Sequence, residues 1–473
     1  MDLDGTLVRT DLFFESVLRL VKQNPINIFR VLIWLLRGKA FAKQRVADLI
    51  EIEASNLPYE PSLVDYLKAQ KAAGKRLVLA TASHRLYAEK VAAYLGIFDD
   101  VLATDAGINL KGPQKLAAIR EYVRDAPFAY AGDSSADRAI WEQAAANILV
   151  NAPRHDLNYA RNTSKDELVI VSGSSMLGAF VDEMRPHQYA KNILIFVPLL
   201  TSHAYADISN VMTVLLAFVS FCLCASGAYF LNDLLDQEAD RRHPTKRNRP
   251  LASGALSIPV GVLGAIGLPI IAFCLSLILL PGVFSWVLAA YFVITNAYSF
   301  YLKSVSTADV MTLALLYTLR VAAGAAAIGV VVSSWLMGFS IFVFVSLAFL
   351  KRYIEVAALP KETDTVQGRG YSASDAETLF ILGIANITAS VLLLALFVSS
   401  EEVVALYRTP ELLWGLCFLQ LYWGNRIWIG ARRGKIDDDP VVFAVRDKVS
   451  QMVGAAFLMI VVAAKFLDFK GLL

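Results

Sequence analysis

The chain has 473 residues, 56% of them hydrophobic, and a formal net charge of +2. That apolar share exceeds what one soluble domain uses, and the near-zero charge gives no electrostatic case for a nucleic-acid partner. Cys222, Cys224, Cys274 and Cys417 all fall in apolar runs without metal-ligand spacing and read as small hydrophobes in lipid-embedded helices.

Residues 1–170 read as a soluble α/β domain, because short apolar runs at 76–80, 126–131 and 147–150 alternate with amphipathic helical stretches. Met1 is followed at once by the charged Asp2 and Asp4, so no secretory signal is expected and this part is placed in the cytosol. The start, MDLDGTLVRTD, carries Asp2 and Asp4 with Gly5 and Thr6. Further on come Thr81 in LATAS, Lys115 in KGPQK, and Asp133 and Asp137 in AGDSSAD.

In order and approximate spacing these segments resemble the phosphatases of the haloacid dehalogenase (HAD) type, which implies a Rossmann-like α/β domain. The resemblance implies that Asp2 is the nucleophile and Asp4 the general acid and base. Thr81 and Lys115 would bind phosphoryl oxygens, and Asp2, Asp4, Asp133 and Asp137 would form the Mg²⁺ set. Residues from about 11 to 70 are expected to form a helical cap over the substrate. Within it the run IFRVLIWLL at 28–36 is expected to pack inside the cap, the alternative being contact with the membrane or the neighbouring domain. Only Met1 precedes Asp2, so the usual first strand is expected to be missing and Asp2 to lie at a frayed terminus.

A linker is placed at 171–184, starting VSGSS. Beyond it, residues 185–473 read as an all-α polytopic membrane domain with about nine spans of about 20 residues. They are placed near 188–206, 211–233, 257–279, 283–302, 309–329, 335–352, 376–398, 411–429 and 449–467. One set of loops holds Arg241–Arg249, Lys303, Lys351–Arg352 and Arg432–Lys435, and the opposite loops are short or acidic. The basic set is expected to face the cytosol, which agrees with a cytosolic first domain and a multi-pass protein of a bacterial-type inner membrane.

At the end of the second span, NDLLDQEADRRHPTKRNRPLASG places Asn232, Asp236 and Asp240 at i, i+4 and i+8, with Asp233 one position round the turn. Carboxylates crowded at a membrane boundary call for a hard cation, with Mg²⁺ bound to a diphosphate the economical choice. Lys246 and Arg249 follow as counter-charge for an anion. Further polar groups close other spans: Asn296, Tyr298, Tyr301, Lys303 and Asp309 after the fourth, and Lys351, Arg352 and Glu355 after the sixth. Arg185, Lys191 and Asn192 open the first. Polar groups at membrane depth mark a site or snorkel to the interface.

From about 185 to 470 the chain resembles the UbiA-type intramembrane prenyltransferase superfamily, on the strength of NDxxDxxxD at 232–240. The resemblance implies that Asn232, Asp233, Asp236 and Asp240 bind Mg²⁺ and a diphosphate. Most aromatic prenyltransferases carry a second acidic motif, DxxxD, after the sixth span, where this chain has Lys351, Arg352 and Glu355. DRRHPTKRNRPLASG, YSFYLK, KRYIE and DDPVVFAVRDKVS together look like the decaprenyl-phosphate phosphoribosyltransferase branch. That branch implies transfer from 5-phosphoribosyl-1-diphosphate to a polyprenyl phosphate, a step toward arabinan precursors of the cell envelope. Lys191, Asn192, Lys246, Arg249, Tyr301, Lys303, Lys351, Arg352 and Glu355 are the candidate substrate-binding residues. The phosphatase would then act on the 5-phosphate of the product. The alternatives are an aromatic prenyltransferase using a prenyl diphosphate, and a transferase with a regulatory first domain. A second copy of the chain is a further candidate partner.

Overall fold

The computed structural model describes residues 1–473 apart from 106–108, 125, 162–165, 172–174, 360–368, 437–439 and 468–473. Part of the expected 171–184 linker and the acidic pair Asp438–Asp439 lie outside the described residues. The chain forms two compact units, one of Met1–Met184 with Tyr229–Ile266, the other of Arg185–Ala228 with Gly267–Leu473.

The first unit is built on parallel strands. β1 (Val78–His84) pairs with β2 (Asp100–Thr104), and β3 (Ala129–Gly132) pairs with β4 (Ala146–Val150), which pairs with β5 (Asp166–Ile170). The start of the chain lies between β1 and β3. Met1 N donates to Val78 O (3.0 Å), Ala80 N to Met1 O (2.8 Å) and Asp2 N to Ala131 O (2.9 Å). The frayed terminus is therefore not found: residues 1–2 do the work of a strand by backbone pairing, and Leu3 is fully buried behind them. Side-chain alternation then splits the apolar residues between the two faces. Leu79, Ala131 and Val150 join Leu3, Leu63 and Val91 on one side, while Ala80, Tyr130 and Leu149 join Ile119, Ile140 and Trp141 on the other. A parallel sheet with both faces covered is the expected α/β arrangement.

The insertion after Asp11 consists of α1 (Leu12–Gln23), α2 (Asn27–Leu36) and α3 (Lys39–Ala47). Asp11 caps α1 by accepting from Phe13 N and Phe14 N. The Pro61–Ala72 helix instead sends Leu63, Val64 and Leu67 into the sheet core, so the cap ends before it. The 28–36 run does not pack wholly inside the cap. Val31 is buried, but Phe29, Leu32, Ile33 and Leu36 face outward. A single helix ten residues long has one inner face, and eight apolar or aromatic side chains cannot all share it.

Seven helices among the described residues are long and apolar enough to span a bilayer. They are Ile208–Arg242, Ile258–Leu279, Gly282–Phe300, Ala308–Ile328, Ser334–Ala357, Ala373–Val398 and Lys448–Phe466. Two of the expected spans differ. Residues 188–206 break into short turns, Pro186–Phe196, Val197–Thr201 and Ala204–Ala206, with Pro186 and Pro198 starting the first two. The Trp414–Arg432 helix has the length of a span but carries Gln420, Asn425, Arg426 and Arg432.

The second unit packs these helices through small residues. Trp428 Nε1 donates to Ser346 Oγ (3.1 Å), which donates to Gly383 O (2.8 Å), and a Cβ at Gly383 would run into the Trp428 ring. At Gly324 a Cβ would strike the Ile195 carbonyl, so only glycine lets that backbone come so close.

Candidate functional site

In the first unit the sheet brings the acidic residues to the carboxyl ends of its strands, the usual place for a site in such a fold. Carboxylate oxygens of Asp2, Asp133 and Asp137 all lie within 4.8 Å of one another. Lys115 Nζ, on the Pro113–Val123 helix, donates to Asp2 Oδ2 (2.7 Å), to Asp137 Oδ1 (3.2 Å) and to Tyr130 OH (3.0 Å). Thr6 Oγ1 donates to Asp133 Oδ1 (3.3 Å), and Asp133 N donates to Asp137 Oδ2 (3.3 Å). Burial, then the charges of Asp2 and Asp137, push Asp133 up to about 7. Burial opposes the charge on Lys115, but Asp2 and Asp137 outweigh it and hold its ammonium above the usual lysine range. Three carboxylates around a single ammonium leave a surplus of negative charge. An all-oxygen donor set of this kind fits Mg²⁺.

Asp4 is set apart from that cluster. Its Oδ2 accepts from Ser83 Oγ and its Oδ1 from Leu12 N (3.2 Å), at the start of α1. Burial, and after it the neighbouring Asp11, push Asp4 up to about 8, so it carries a proton at neutral pH. That suits a proton donor better than a metal ligand. Thr81, fully buried on β1, accepts from Ser83 N through its hydroxyl (3.0 Å). Lys43 of α3 reaches in from the cap and donates to Ala82 O (2.6 Å). Ser83, Tyr130 and Lys43 were absent from the sequence reading. Ser83 stands two residues after Thr81 in LATAS, but Tyr130 and Lys43 sit in no motif.

The aspartate motif also lies in the first unit. Arg249 Nη1 bridges Asp233 Oδ1 (3.1 Å) and Asp240 Oδ2 (2.7 Å), and Asn232 Nδ2 donates to Asp233 Oδ1 (3.3 Å). Asp236 turns to a different neighbour: Lys22 Nζ of α1 donates to its Oδ1 (3.0 Å) and to Leu235 O (2.7 Å). Asp233 and Asp240 are thus the pair that share a cation here, one that a metal-bound diphosphate could replace. Next to them Arg241 binds Glu15 of α1 with both terminal nitrogens, at 2.9 and 3.0 Å. The run ends at Gly254, where φ is +76° and a Cβ would strike the Arg9 carbonyl. Lys246 is exposed on the turn between, its backbone N donating to His243 Nδ1 (3.4 Å).

A separate polar cluster closes the helix ends of the second unit. Asp309, fully buried at the start of the Ala308–Ile328 helix, meets Arg352 Nε (2.5 Å), Arg369 Nη1 (3.3 Å) and the donated hydroxyl of Tyr298 (2.8 Å). Arg352 also pairs with Glu355 and donates to Tyr298 OH (3.1 Å), as does Arg369 (2.8 Å). Arg369, missed in the sequence, follows a polar stretch of sequence with no periodicity to mark it. Lys303 contributes its carbonyl to Arg369 (3.5 Å), Lys351 is half-buried on the same helix as Arg352, and Tyr301 points outward.

Asn192 is not at this cluster. It is buried, with Oδ1 accepting from Arg320 Nε (2.8 Å) and Nδ2 donating to Cys222 Sγ (3.2 Å). Arg320, also missed by the sequence reading, lies among the rings of Phe221, Tyr291 and Tyr317, and Lys191 Nζ lies 6.0 Å over that same Tyr317 ring.

The family model described as UbiA prenyltransferase family matches residues 194–446, and that of haloacid dehalogenase-like hydrolases matches residues 1–142. The chain is similar to the uncharacterized protein y4nM of Sinorhizobium fredii, 34% identical over 465 residues, covering 97% of this chain and 90% of that protein. The nodulation protein NoeC of Azorhizobium caulinodans is 34% identical over 295 residues, covering 59% of this chain and 93% of NoeC. The decaprenyl-phosphate phosphoribosyltransferase of Corynebacterium glutamicum is 33% identical over 185 residues, which cover 38% of this chain and 56% of the enzyme.

Proposed function

Because the chain belongs to the UbiA prenyltransferase family and opens with a haloacid dehalogenase-like domain, we propose that it makes and then dephosphorylates a lipid-linked phosphoribose. The transferase moves phosphoribose from 5-phosphoribosyl-1-diphosphate to a polyprenyl phosphate, and the phosphatase removes the 5-phosphate of the product. The observation that carries this reading is the cluster around Asp309. Arg352 at the end of the sixth predicted span and Arg369 after it meet the Asp309 carboxylate together with Tyr298, and it is after the sixth span that a prenyl-diphosphate enzyme would have a second acidic motif. The two guanidinium groups suit a phosphate monoester, since they match phosphate oxygens. The similarity to decaprenyl-phosphate phosphoribosyltransferases supports the same donor and acceptor.

In the transfer step a phosphate oxygen of the lipid attacks the anomeric carbon, and the bond from that carbon to the diphosphate breaks with its electron pair leaving on diphosphate. Asn232, Asp233, Asp236 and Asp240 would hold Mg²⁺, which when bound neutralises charge on the diphosphate. Arg249 would follow the diphosphate oxygens, and the guanidinium groups of Arg352 and Arg369 would suit a phosphate. The lipid phosphate is already ionised, so the step needs no base.

In the phosphatase step an Asp2 oxygen bonds to phosphorus while the ester oxygen leaves and takes the proton held on Asp4. Asp4 then accepts a proton from the water that releases phosphate. Lys115 keeps Asp2 oriented, and Asp2, Asp133 and Asp137 would hold Mg²⁺. The basic loops support a cytosolic position for this domain at a bacterial inner membrane.

The test is to give purified full-length protein labelled 5-phosphoribosyl-1-diphosphate, polyprenyl phosphate and Mg²⁺. A labelled lipid lacking the 5-phosphate is expected. No labelled lipid would reject the transferase, and a labelled lipid that keeps its 5-phosphate would reject the coupled phosphatase.

A further inference from the structure

Helix α2 is amphipathic in an unusual setting. Val31, Trp34 and Leu35 pack inward with Leu20, Val46 and Ile50. Outward lie Phe29, 65% exposed, and Leu36, 88% exposed, with Ile26, Leu32 and Ile33 widening the strip. A contiguous apolar surface of this kind marks a site of contact rather than a solvated face. Beside it α2 and α3 border a cavity of about 320 Å³, lined among others by Arg30, Trp34, Arg37, Phe41, Arg45 and Asp48. The guanidinium carbons of Arg37 and Arg45 stand 5.7 and 5.3 Å from the Phe41 ring centre. Asp48 accepts from Gln44 Nε2 (2.7 Å), and among the described residues Arg30, Arg37 and Arg45 form no ion pair with it or with any other carboxylate. From Ser16 to Ala47 the chain carries seven Lys or Arg and no Asp or Glu.

We propose that α2 and the arginine cavity form a binding site for the phosphate head group of an anionic phospholipid, with the outer strip of α2 inserted among the acyl chains. Three observations favour a bilayer over a protein partner. The cations are guanidinium groups, which suit phosphate, and they flank an apolar face in the manner of interfacial helices. The protein is itself a multi-pass membrane protein, so a bilayer is always at hand. Lys22, at the end of α1, is bonded to Leu235 O and Asp236 near the polar end of the Ile208–Arg242 span, so α2 begins close to where that helix leaves its apolar stretch. This site does not depend on the transferase reading.

The test uses the full chain in nanodiscs of phosphatidylglycerol or phosphatidylcholine carrying bromine at shallow acyl positions. The fluorescence of Trp34 is obtained by subtracting that of Trp34→Phe. In phosphatidylglycerol discs Trp34 is expected to be quenched at least twofold more than in phosphatidylcholine discs. Arg30→Glu, Arg37→Glu and Arg45→Glu together should abolish that difference. Phe29→Ser with Leu36→Ser, which removes no buried contact, should lower the quenching in both lipids. Absence of Trp34 quenching in either lipid would overturn the proposal, as would equal quenching that charge reversal leaves unmoved. Shielding of Trp34 only when two chains share one disc would assign the face to a second copy instead.

Discussion

Gly5 follows Asp4 with a φ of +75°, and a Cβ there would run into the Asp133 carboxylate. The glycine in DxDGT thus leaves room for a carboxylate more than a hundred residues away, besides allowing the turn. Gly5→Ala is expected to displace Asp133 and slow phosphate release by roughly a hundredfold, as about 1 Å of misplacement can. The strain of a positive φ should cost about 1 kcal/mol of stability. Phosphate release and thermal unfolding of the variant would check both numbers. The sequence made the acidic cluster legible because Asp2, Lys115, Asp133 and Asp137 stand in short segments, MDLDGT, KGPQK and AGDSSAD, in a fixed order. It did not disclose Tyr130, Lys43, Arg320 or Arg369. Those contacts join residues far apart in the chain, as Arg320 with Asn192, 128 positions away, and neither spacing nor composition encodes such a meeting.

At the scale of elements, α1 joins two chemistries within the first unit. Its first residue donates a backbone N–H to Asp4, and its last turn carries Lys22, bonded to Asp236. Between them Glu15, 3% exposed, is held by Arg241, 6% exposed, and by Arg19. Burial raises the Glu15 carboxyl, but Arg241 and then Arg19 outweigh it and hold it below its ordinary value of 4.5. A depressed carboxylate contributes stability that is complete above about pH 4.5 and is lost as pH falls through the lower folded-state value. Glu15→Gln leaves Arg241 buried without its partner, which should cost about 3 kcal/mol near neutral pH. The difference from the parent protein should hold from pH 7 to 5 and shrink below 4.5. Urea unfolding at several pH values would show it, and a difference that grew on acidification would contradict the pairing. The cap was legible as helical, yet its outward apolar face was not. Periodicity reports that a helix has two faces and says nothing of what covers each.

At the scale of the whole molecule, Asp2→Asn in the full chain is expected to abolish phosphate release while leaving transfer of label to lipid within about twofold, since Asp2 touches none of the motif residues. Comparing labelled lipid with released phosphate in one assay would decide it. The long apolar stretches were readable from the sequence because about 20 such residues have few other uses. The 188–206 stretch misled because it breaks at Pro198 into separate short turns, a local effect that average hydropathy does not register.

The helix Ile208–Arg242 is continuous, but its first part belongs to one compact unit and the rest, from Tyr229, to the other. The stretch from Asn232 to Gly254 therefore takes contacts from residues before Met184: Lys22 at Asp236, Glu15 at Arg241 and Arg9 at Gly254. Cleaving the backbone between 170 and 176 would not free two self-sufficient enzymes. The severed N-terminal piece would stay bonded to residues 229–266, and a gene trimmed to begin after it would express a helical part whose Asp236 and Arg241 lack Lys22 and Glu15.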